Sequence, residues 1–569
     1  MNKFKNFIKL ILQIFFFISI FNILNAKNIN TYYKADKISG YLAGILSLDD
    51  NEYANSYNFL KKLNGIEEEH TSFSKKYLYS MINLKKFNEA YKFSKKLERK
   101  KIDSFESNLI IGIYHLKNND YNSSLNYFKK LNKDTNISSL QKIISLSLLN
   151  WSQFENIDEK KAKQILALVP DRFKNIKKIQ NAFLHCYYDS NLTNNVFKDL
   201  INNKETDFAR YNYFYANYLL DKGKKTEAKN VIKKSLLKQP RNLILNQFNF
   251  EIELNKQELF SNKFECKNIS HVLAELFYIT SNALSSETLY SISNFYLNIA
   301  KYLNPKFISF DTLYAENFYR TKNYSEAIKI YNQIKKKDYV YRWYASKQIS
   351  SILIKQKKLD NALKLLDNEI KNNSKPSVYE LFDYAEFLKN NEQFSKSIKF
   401  YSRVLNLITK KHHIYAETSE GRGIAYERVG SWDKAENDLL NSLSVDPNQA
   451  YVINYLAYSW IEKGIKIEKS LKMLEKANDL KKNDGYITDS LGWALFKLKK
   501  FDESKRYLQL AVRIMPSDPV VNDHFGDSLW MNGNKIQARY YWKYVLNLKE
   551  TDEELKKTIK NKLIFGPKI

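Results

Sequence analysis

Apolar residues recur along this chain at intervals of three and four, the spacing of one face of an α-helix, and the helical stretches come in pairs joined by short polar turns. The period of the pairs is more informative still, because self-similarity over tens of residues specifies a repeat architecture. The segments AETSEGRGIAYERVGSWDKAENDLLNSLSVDP (416–447) and DGYITDSLGWALFKLKKFDESKRYLQLAVRIMPSD (484–518) match throughout. Gly423, Tyr426, Ala435, Leu439 and Pro447 in the first answer to Gly492, Leu495, Ser504, Leu508 and Pro516 in the second. The small residue of the first helix recurs as Gly44, Gly112, Ala216, Ala315, Ser350, Ala385, Gly423, Ala457, Gly492 and Gly526. From Ala315 the steps are 35, 35, 38, 34, 35 and 34 residues. The small residue of the second helix recurs as Ser56, Ala90, Ser124, Ala228, Ala327, Ala362, Ser397, Ala435, Ser504 and Ala538.

This pattern resembles the tetratricopeptide repeat over nearly the whole chain after residue 26. The resemblance implies two antiparallel helices per unit, with small residues at repeat positions 8 and 20 where the helices cross and only Gly, Ala or Ser lets the backbones approach. Positions 7, 11 and 24 are large, which assigns Trp460 and Trp542 to packing. Pro at position 32 stops the second helix, as Pro240, Pro305, Pro447 and Pro516 would. No hairpin buries its apolar face alone, so the expected fold is all-α, an α-solenoid (superhelix) of about 13–15 tetratricopeptide-like hairpins. The organisation expected is a secretory signal peptide at 1–26, an N-terminal array at 27–242, a degenerate repeat or hinge at 243–273, a C-terminal array at 274–552 and a polar capping helix at 553–569. Residues 139–174 are also degenerate, and helical pairs with altered packing are expected in both stretches.

Composition agrees with this reading: 14 Gly and 8 Pro in 569 residues leave little room for phosphate loops or turn-rich β folds. The net charge of +29 raises the prospect of a polyanionic partner. Only twelve of the 91 bases are Arg, however, and the Lys, Asn, Ile, Tyr and Phe enrichment is the mix of an AT-biased coding sequence. Phosphate and base-edge recognition lean on the planar Arg fork, so no nucleic-acid partner is expected.

Lys3, Lys5 and Lys9 precede the apolar run Leu10 to Leu24, and Ala26 offers a small residue for cleavage. This reads as a secretory leader and a periplasmic protein. Leu24 stands where cleavage sites prefer a small residue, so an uncleaved inner-membrane anchor is the alternative. An oxidising compartment permits a bridge between Cys186 and Cys266. Two cysteines about 80 residues apart in a helical array are expected on different repeats, as buried free thiols.

Local signals of catalysis are missing: the sequence has no HExxH, GxSxG, GxxxxGK[ST] or CxxC. No enzyme activity, cofactor or metal site is therefore expected. His412 and His413 point about 100° apart on a helix and read as loop residues; His524 reads as a packing residue. The candidate partner-binding surface is the concave face of the C-terminal repeats. There the tetratricopeptide register places Asn454, Tyr458, Tyr486, Asp489, Trp493, Asp523, Asp527 and Trp530. Such a groove would offer aromatic contact area and carboxylates for a guest's Lys or Arg. Equally, the Trp residues could pack between repeats and the Asp residues could cap helices or join lateral hydrogen bonds. The residues expected to carry repeat packing are Gly44, Gly112, Ala216, Ala228, Ala315, Ala327, Ala362, Ala385, Gly423, Ala435, Ala457, Gly492, Gly526 and Ala538.

The stretches LAYSWIEKG (456–464), DGYITDSLGWALF (484–496), PVVNDHFGDSLWMNG (519–533) and ARYYW (538–542) are similar to the C-terminal repeats of the exported lipoprotein that is the adaptor of the periplasmic carboxyl-terminal processing protease. That resemblance implies a protein partner, an envelope protease, and a role as a non-catalytic interaction scaffold of the cell envelope. No lipid-bearing Cys stands near residue 26, so the tethering does not carry over. The alternative is a structural envelope protein whose Lys-rich surface makes weak contact with anionic glycan or lipid headgroups.

Overall fold

The computed structural model describes residues 35–133, 137–254, 260–337 and 339–567. The leader expected at 1–26 lies outside them. The described residues hold 30 α-helices, a 3-10 turn at Asp171–Phe173 and no strand pairing beyond one isolated bridge between Asn262 and Phe307. The fold is an all-α solenoid, and it divides into two compact units, residues 1–357 and 358–569.

Thirteen helical hairpins can be counted within the units, eight in the first and five in the second. Each starts and stops for local reasons. Ser104, Ser138 and Ser377 open helices with reciprocal capping boxes. Asp518 accepts from the backbone N–H of Val520 and Val521 with Pro519 in the first turn. The second helices end at Lys238, Leu303, Val445 and Ile514, each two residues before a proline. The chain reverses between paired helices through a left-handed residue, Gly in some turns (Gly533, φ 80°) and Lys in others (Lys499, φ 61°). Lys in this region costs about 1–2 kcal/mol that Gly would not.

Inside the hairpins, position 8 meets position 24 sixteen residues on. A Cβ built on Gly44 would stand 2.6 Å from Leu60 Cδ2, on Gly112 2.3 Å from Phe128 Cε1, and on Gly423 3.1 Å from Leu439 Cγ. Gly492 faces Leu508 and Gly526 faces Trp542 in the same way. Ala216, Ala228, Ala315, Ala327, Ala362, Ala385, Ala435, Ala457 and Ala538 are all fully buried, as are Trp460 and Trp542.

The first unit is more than a linear stack. The helix Tyr290–Leu303 packs on Thr71–Asn83 and Phe105–Lys117, and Ile269–Ser286 packs on Ser139–Phe154. These are first helices of early hairpins, the ones that line the inner face of such a superhelix. Asn294 donates to Tyr53 Oη (2.6 Å) and Asn298 to Asn83 Oδ1 (3.2 Å). Phe87 stacks on Tyr302 at 4.0 Å and Tyr79 meets Phe295 at 4.3 Å. The inner face of the early hairpins is thus filled by the chain's own later helices.

Residues 243–273 are neither a helical pair nor the boundary between the units. Leu243–Glu253 is a lone helix, and residues 260–268 form a loop bound on several sides. Asn262 donates to Tyr341 Oη (2.8 Å) and accepts from the Ser309 N–H (2.9 Å), while its carbonyl accepts from Tyr213. Asn217 donates to the Phe264 carbonyl and Asn304 to that of Lys263. Cys266 is bonded to Cys186 on the helix Lys174–Tyr187, so the cysteines are not free thiols. A segment so pinned acts as a clamp, and the division falls instead at Lys357 and Lys358.

Candidate functional site

The second unit contains the first helices Val378–Asn390, Tyr415–Arg428, Ala450–Glu462, Gly485–Lys497 and Pro519–Met531, which the repeat register assigns to the concave side. Val378–Asn390 packs on Tyr415–Arg428, and Gly485–Lys497 on both Ala450–Glu462 and Pro519–Met531. Seven of the eight candidate residues separate into two groups, and Trp530 stands apart from both. Tyr486 is 60% exposed, and Tyr458 and Asn454 are half-buried. Burial, with Glu462 and Asp489 adding their charge, pushes the Tyr458 hydroxyl well above its ordinary pKa. The Asn454 Oδ1 is buried and accepts no hydrogen bond. Tyr451, 52% exposed, precedes Asn454 and Tyr458 on the same helix; its hydroxyl donates to Asp484 (2.9 Å) and Lys481 lies over its ring.

Trp493, Asp489, Asp523 and Asp527 are buried in contacts between neighbouring helices. The Trp493 indole N–H donates to Glu462 (2.7 Å), and its ring stacks on His524 at 4.0 Å and on Phe496 at 4.8 Å. His524 Nδ1 lies 3.0 Å from Asp489 Oδ2. Burial pulls the imidazole pKa down, but Asp489, Asp523 and Asp527 outweigh it and hold it above the ordinary value. The couple resembles part of a catalytic relay, yet His524 is only 6% exposed and lies under the Trp493 ring.

Asp523 and Asp527 receive Lys562 from the terminal helix Glu553–Phe565. Its ammonium lies 2.8 Å from both oxygens of Asp523 and 2.7 Å from Asp527 Oδ2. One ammonium does not match two buried carboxylates: Asp527 Oδ1 has no hydrogen-bond partner. Burial and the charge of Asp523 push the Asp527 pKa up to about 7, with Lys562 opposing. The Lys562 pKa, lowered by burial, is carried above its ordinary value by the two carboxylates. Trp530 is half-buried, with Arg539 4.9 Å and Lys535 5.2 Å from its ring and Gly566 pressed against its indole. The terminal helix is therefore no polar cap standing in solvent. Ile559 is fully buried among Trp542, Val545 and Leu529, and Lys562 is drawn inside by the acids.

The same register holds acids that the sequence reading passed over. Positions 2, 5 and 12 of Tyr415–Arg428 are Glu417, Glu420 and Glu427. Glu420 is half-buried, and its pKa is raised by burial and by Glu386 and Glu417 against the pull of Lys389. Tyr455 donates to Glu427 (2.9 Å). Charge at positions 2 and 5 was the signal that would have found Glu417 and Glu420; no local signal marks Lys562. His412 and His413 stand in the loop before Tyr415, stacked at 4.6 Å, with His413 Nε2 3.2 Å from Tyr379 Oη. Among the described residues no group of three His, Cys, Asp or Glu is arranged to hold a metal ion.

No protein-family model matches the chain. Over 185 residues, 31% of its length, it is 27% identical to a TPR repeat-containing protein of Pseudomonas aeruginosa. The match spans 29% of that relative, under a third of its length. Among solved structures, YrrB, described as a TPR protein with an unusual peptide-binding site, is 16% identical over 34% of this chain and 97% of its own, with a TM-score of 0.28. MamA from Desulfovibrio magneticus RS-1 is 14% identical over 31% of this chain and 97% of its own, also with a TM-score of 0.28.

Proposed function

We propose that the protein is a non-catalytic scaffold that binds a protein partner along the concave face of its second unit, and that in the cell envelope it serves as an adaptor for a periplasmic protease. One contrast carries the reading. The inner face of the early hairpins is filled by the chain's own helices, whereas the first helices of the second unit leave Tyr451, Tyr486 and Glu417 exposed, with Glu420 half-buried beside them. Aromatic side chains give a guest contact area at low entropic cost, and half-desolvated carboxylates select its charge. The TPR repeat-containing relative from Pseudomonas aeruginosa supports a repeat scaffold. The protease is an expectation from the resemblance of residues 456–542 alone.

Asp523, Asp527 and Trp530 are poor probes of this surface, because changing them disturbs the terminal helix. The test is capture of partners from an envelope extract by residues 27–569, compared with a chain carrying Glu417→Lys, Glu420→Lys and Tyr486→Ala. Loss of one protease or assembly factor from the variant supports the groove. Undiminished capture of that protein places the binding surface elsewhere.

A further inference from the structure

The far end of the second unit carries large apolar side chains with nothing over them. Ile536 is 87% exposed, Phe565 80%, and Tyr540 and Ile564 67% each. Ile536 and Tyr540 lie one turn apart on the outer side of the helix Lys535–Asn547. Arg539 Nε donates to the Leu563 carbonyl (3.2 Å), which brings the end of Glu553–Phe565, with Ile564 and Phe565, beside the first turns of Lys535–Asn547. Single exposed hydrophobes are ordinary; two exposed pairs on helices tied together at Arg539 and Leu563 make a candidate contact surface.

The charge around this edge is one-sided. Residues 535–547 contain three bases and no acid. Residues 555–567 contain four bases and no acid, of which Lys562 is held by Asp523 and Asp527 and Lys556 is paired with Glu553, leaving Lys557 and Lys560 exposed. The acids Glu550 and Asp552 in the turn, and Glu553 and Glu554 in the first turn of Glu553–Phe565, lie at the opposite end of that helix from Phe565, where Glu553 holds Lys556 (2.8 Å). The adjacent hairpin contributes Asp502 and Glu503, but also Lys499, Lys500 and Arg506. Apolar and aromatic side chains ringed by lysine suit an interface of acyl chains and anionic headgroups. No helix among the described residues is long and apolar enough to cross a membrane, so contact would be with the surface of the bilayer.

We propose that this edge docks on an anionic phospholipid bilayer, with Ile536, Tyr540, Ile564 and Phe565 entering the headgroup–acyl boundary and Lys535, Lys543 and Lys560 facing the headgroups. This surface is separate from the concave face and does not depend on the scaffold reading. All described packing lies within residues 35–567, so residues 27–569 retain it and lack the apolar run before residue 26. The experiment is co-sedimentation of residues 27–569 with phosphatidylcholine vesicles made with and without phosphatidylglycerol. The variants are Ile536→Ser with Phe565→Ser and, as a control of similar exposure in the other unit, Leu237→Ser, which is 83% exposed in the parent. The expected result is binding only where phosphatidylglycerol is present, weakened at least about tenfold by the double substitution and unchanged by Leu237→Ser. Equal binding to both vesicle types, or equal weakening by the control, overturns the proposal. So does a double variant that binds vesicles like the parent but no longer self-associates, which would make the edge a protein interface.

Discussion

Gly492 offers a test of the helix crossing in which the sign of the effect is the readout. Gly→Ala within a helix ordinarily stabilises by about 1 kcal/mol, because Ala restricts the unfolded chain and favours the helix. At Gly492 the new Cβ would stand 2.6 Å from Leu508 Cγ, 2.8 Å from its Cδ2 and 3.1 Å from its backbone nitrogen. The side-chain contacts must open by several tenths of an ångström, and the backbone one cannot be relieved by a rotamer change. Overpacking of this kind costs about 1–3 kcal/mol. Set against the gain of about 1 kcal/mol, Gly492→Ala is therefore expected to destabilise the second unit by up to about 2 kcal/mol, and Gly492→Leu by more. Gly40 is the matched control: its Cβ would meet nothing nearer than Leu63 Cδ2 at 3.7 Å, so Ala there should stabilise its helix. The second unit can be followed by denaturant unfolding with tryptophan emission, since Trp432, Trp460, Trp493, Trp530 and Trp542 all lie in it. Hydrogen exchange in Ala35–Asp49 reads Gly40→Ala. In a Leu508→Ala background the cost of Gly492→Ala should shrink or reverse, giving a coupling in the double-mutant cycle. If Gly492→Ala stabilises the parent chain, the helices do not cross at Gly492 and the register is wrong.

Two further outcomes follow from the same geometry. Replacing both Cys186 and Cys266 with Ser opens a loop of 80 residues and should cost the first unit about 4 kcal/mol while leaving the second unit's unfolding unchanged; equal loss in both units would count against the clamp. Folded Asp527 keeps its proton up to about pH 7, whereas the unfolded carboxyl releases it in the ordinary aspartate range near 3.8, so the folded state binds more protons in that window and the second unit loses stability as pH rises through it. Asp527→Asn should flatten that slope in denaturant midpoints measured across the window, and an unchanged slope would show that Asp527 is not the group responsible.

The repeat was legible because its defining contacts are local: position 8 meets position 24 within one hairpin, as Gly112 meets Phe128. The all-α solenoid could be read from such spacings. The fate of Asp523 and Asp527 could not. Their partner Lys562 is 39 and 35 residues away on a helix whose sequence reads only as polar, and a buried ion pair leaves no periodic trace. The alternative kept open for those acids, lateral bonding, is the arrangement present. The loop at 260–268 was misread for a similar reason. Loss of repeat pattern looks like a hinge in sequence, yet Asn262 and Cys266 hold that loop through contacts with residues 47 to 80 positions away.

The inward turn of the first unit changes how that unit must be made. A linear repeat array folds by nearest-neighbour contacts and can zip up as it leaves the ribosome or a translocation pore. Here Tyr53 waits for Asn294, 241 residues later, and Asn83 for Asn298, 215 residues later. Until some 300 residues have emerged, the early hairpins have no inner wall, and their aromatic faces, Tyr79 and Phe87 among them, remain uncovered. Such long-range closure slows folding and extends the time in which apolar surface is open to aggregation. The first unit should therefore demand a holding chaperone in a way that the five hairpins of the second do not.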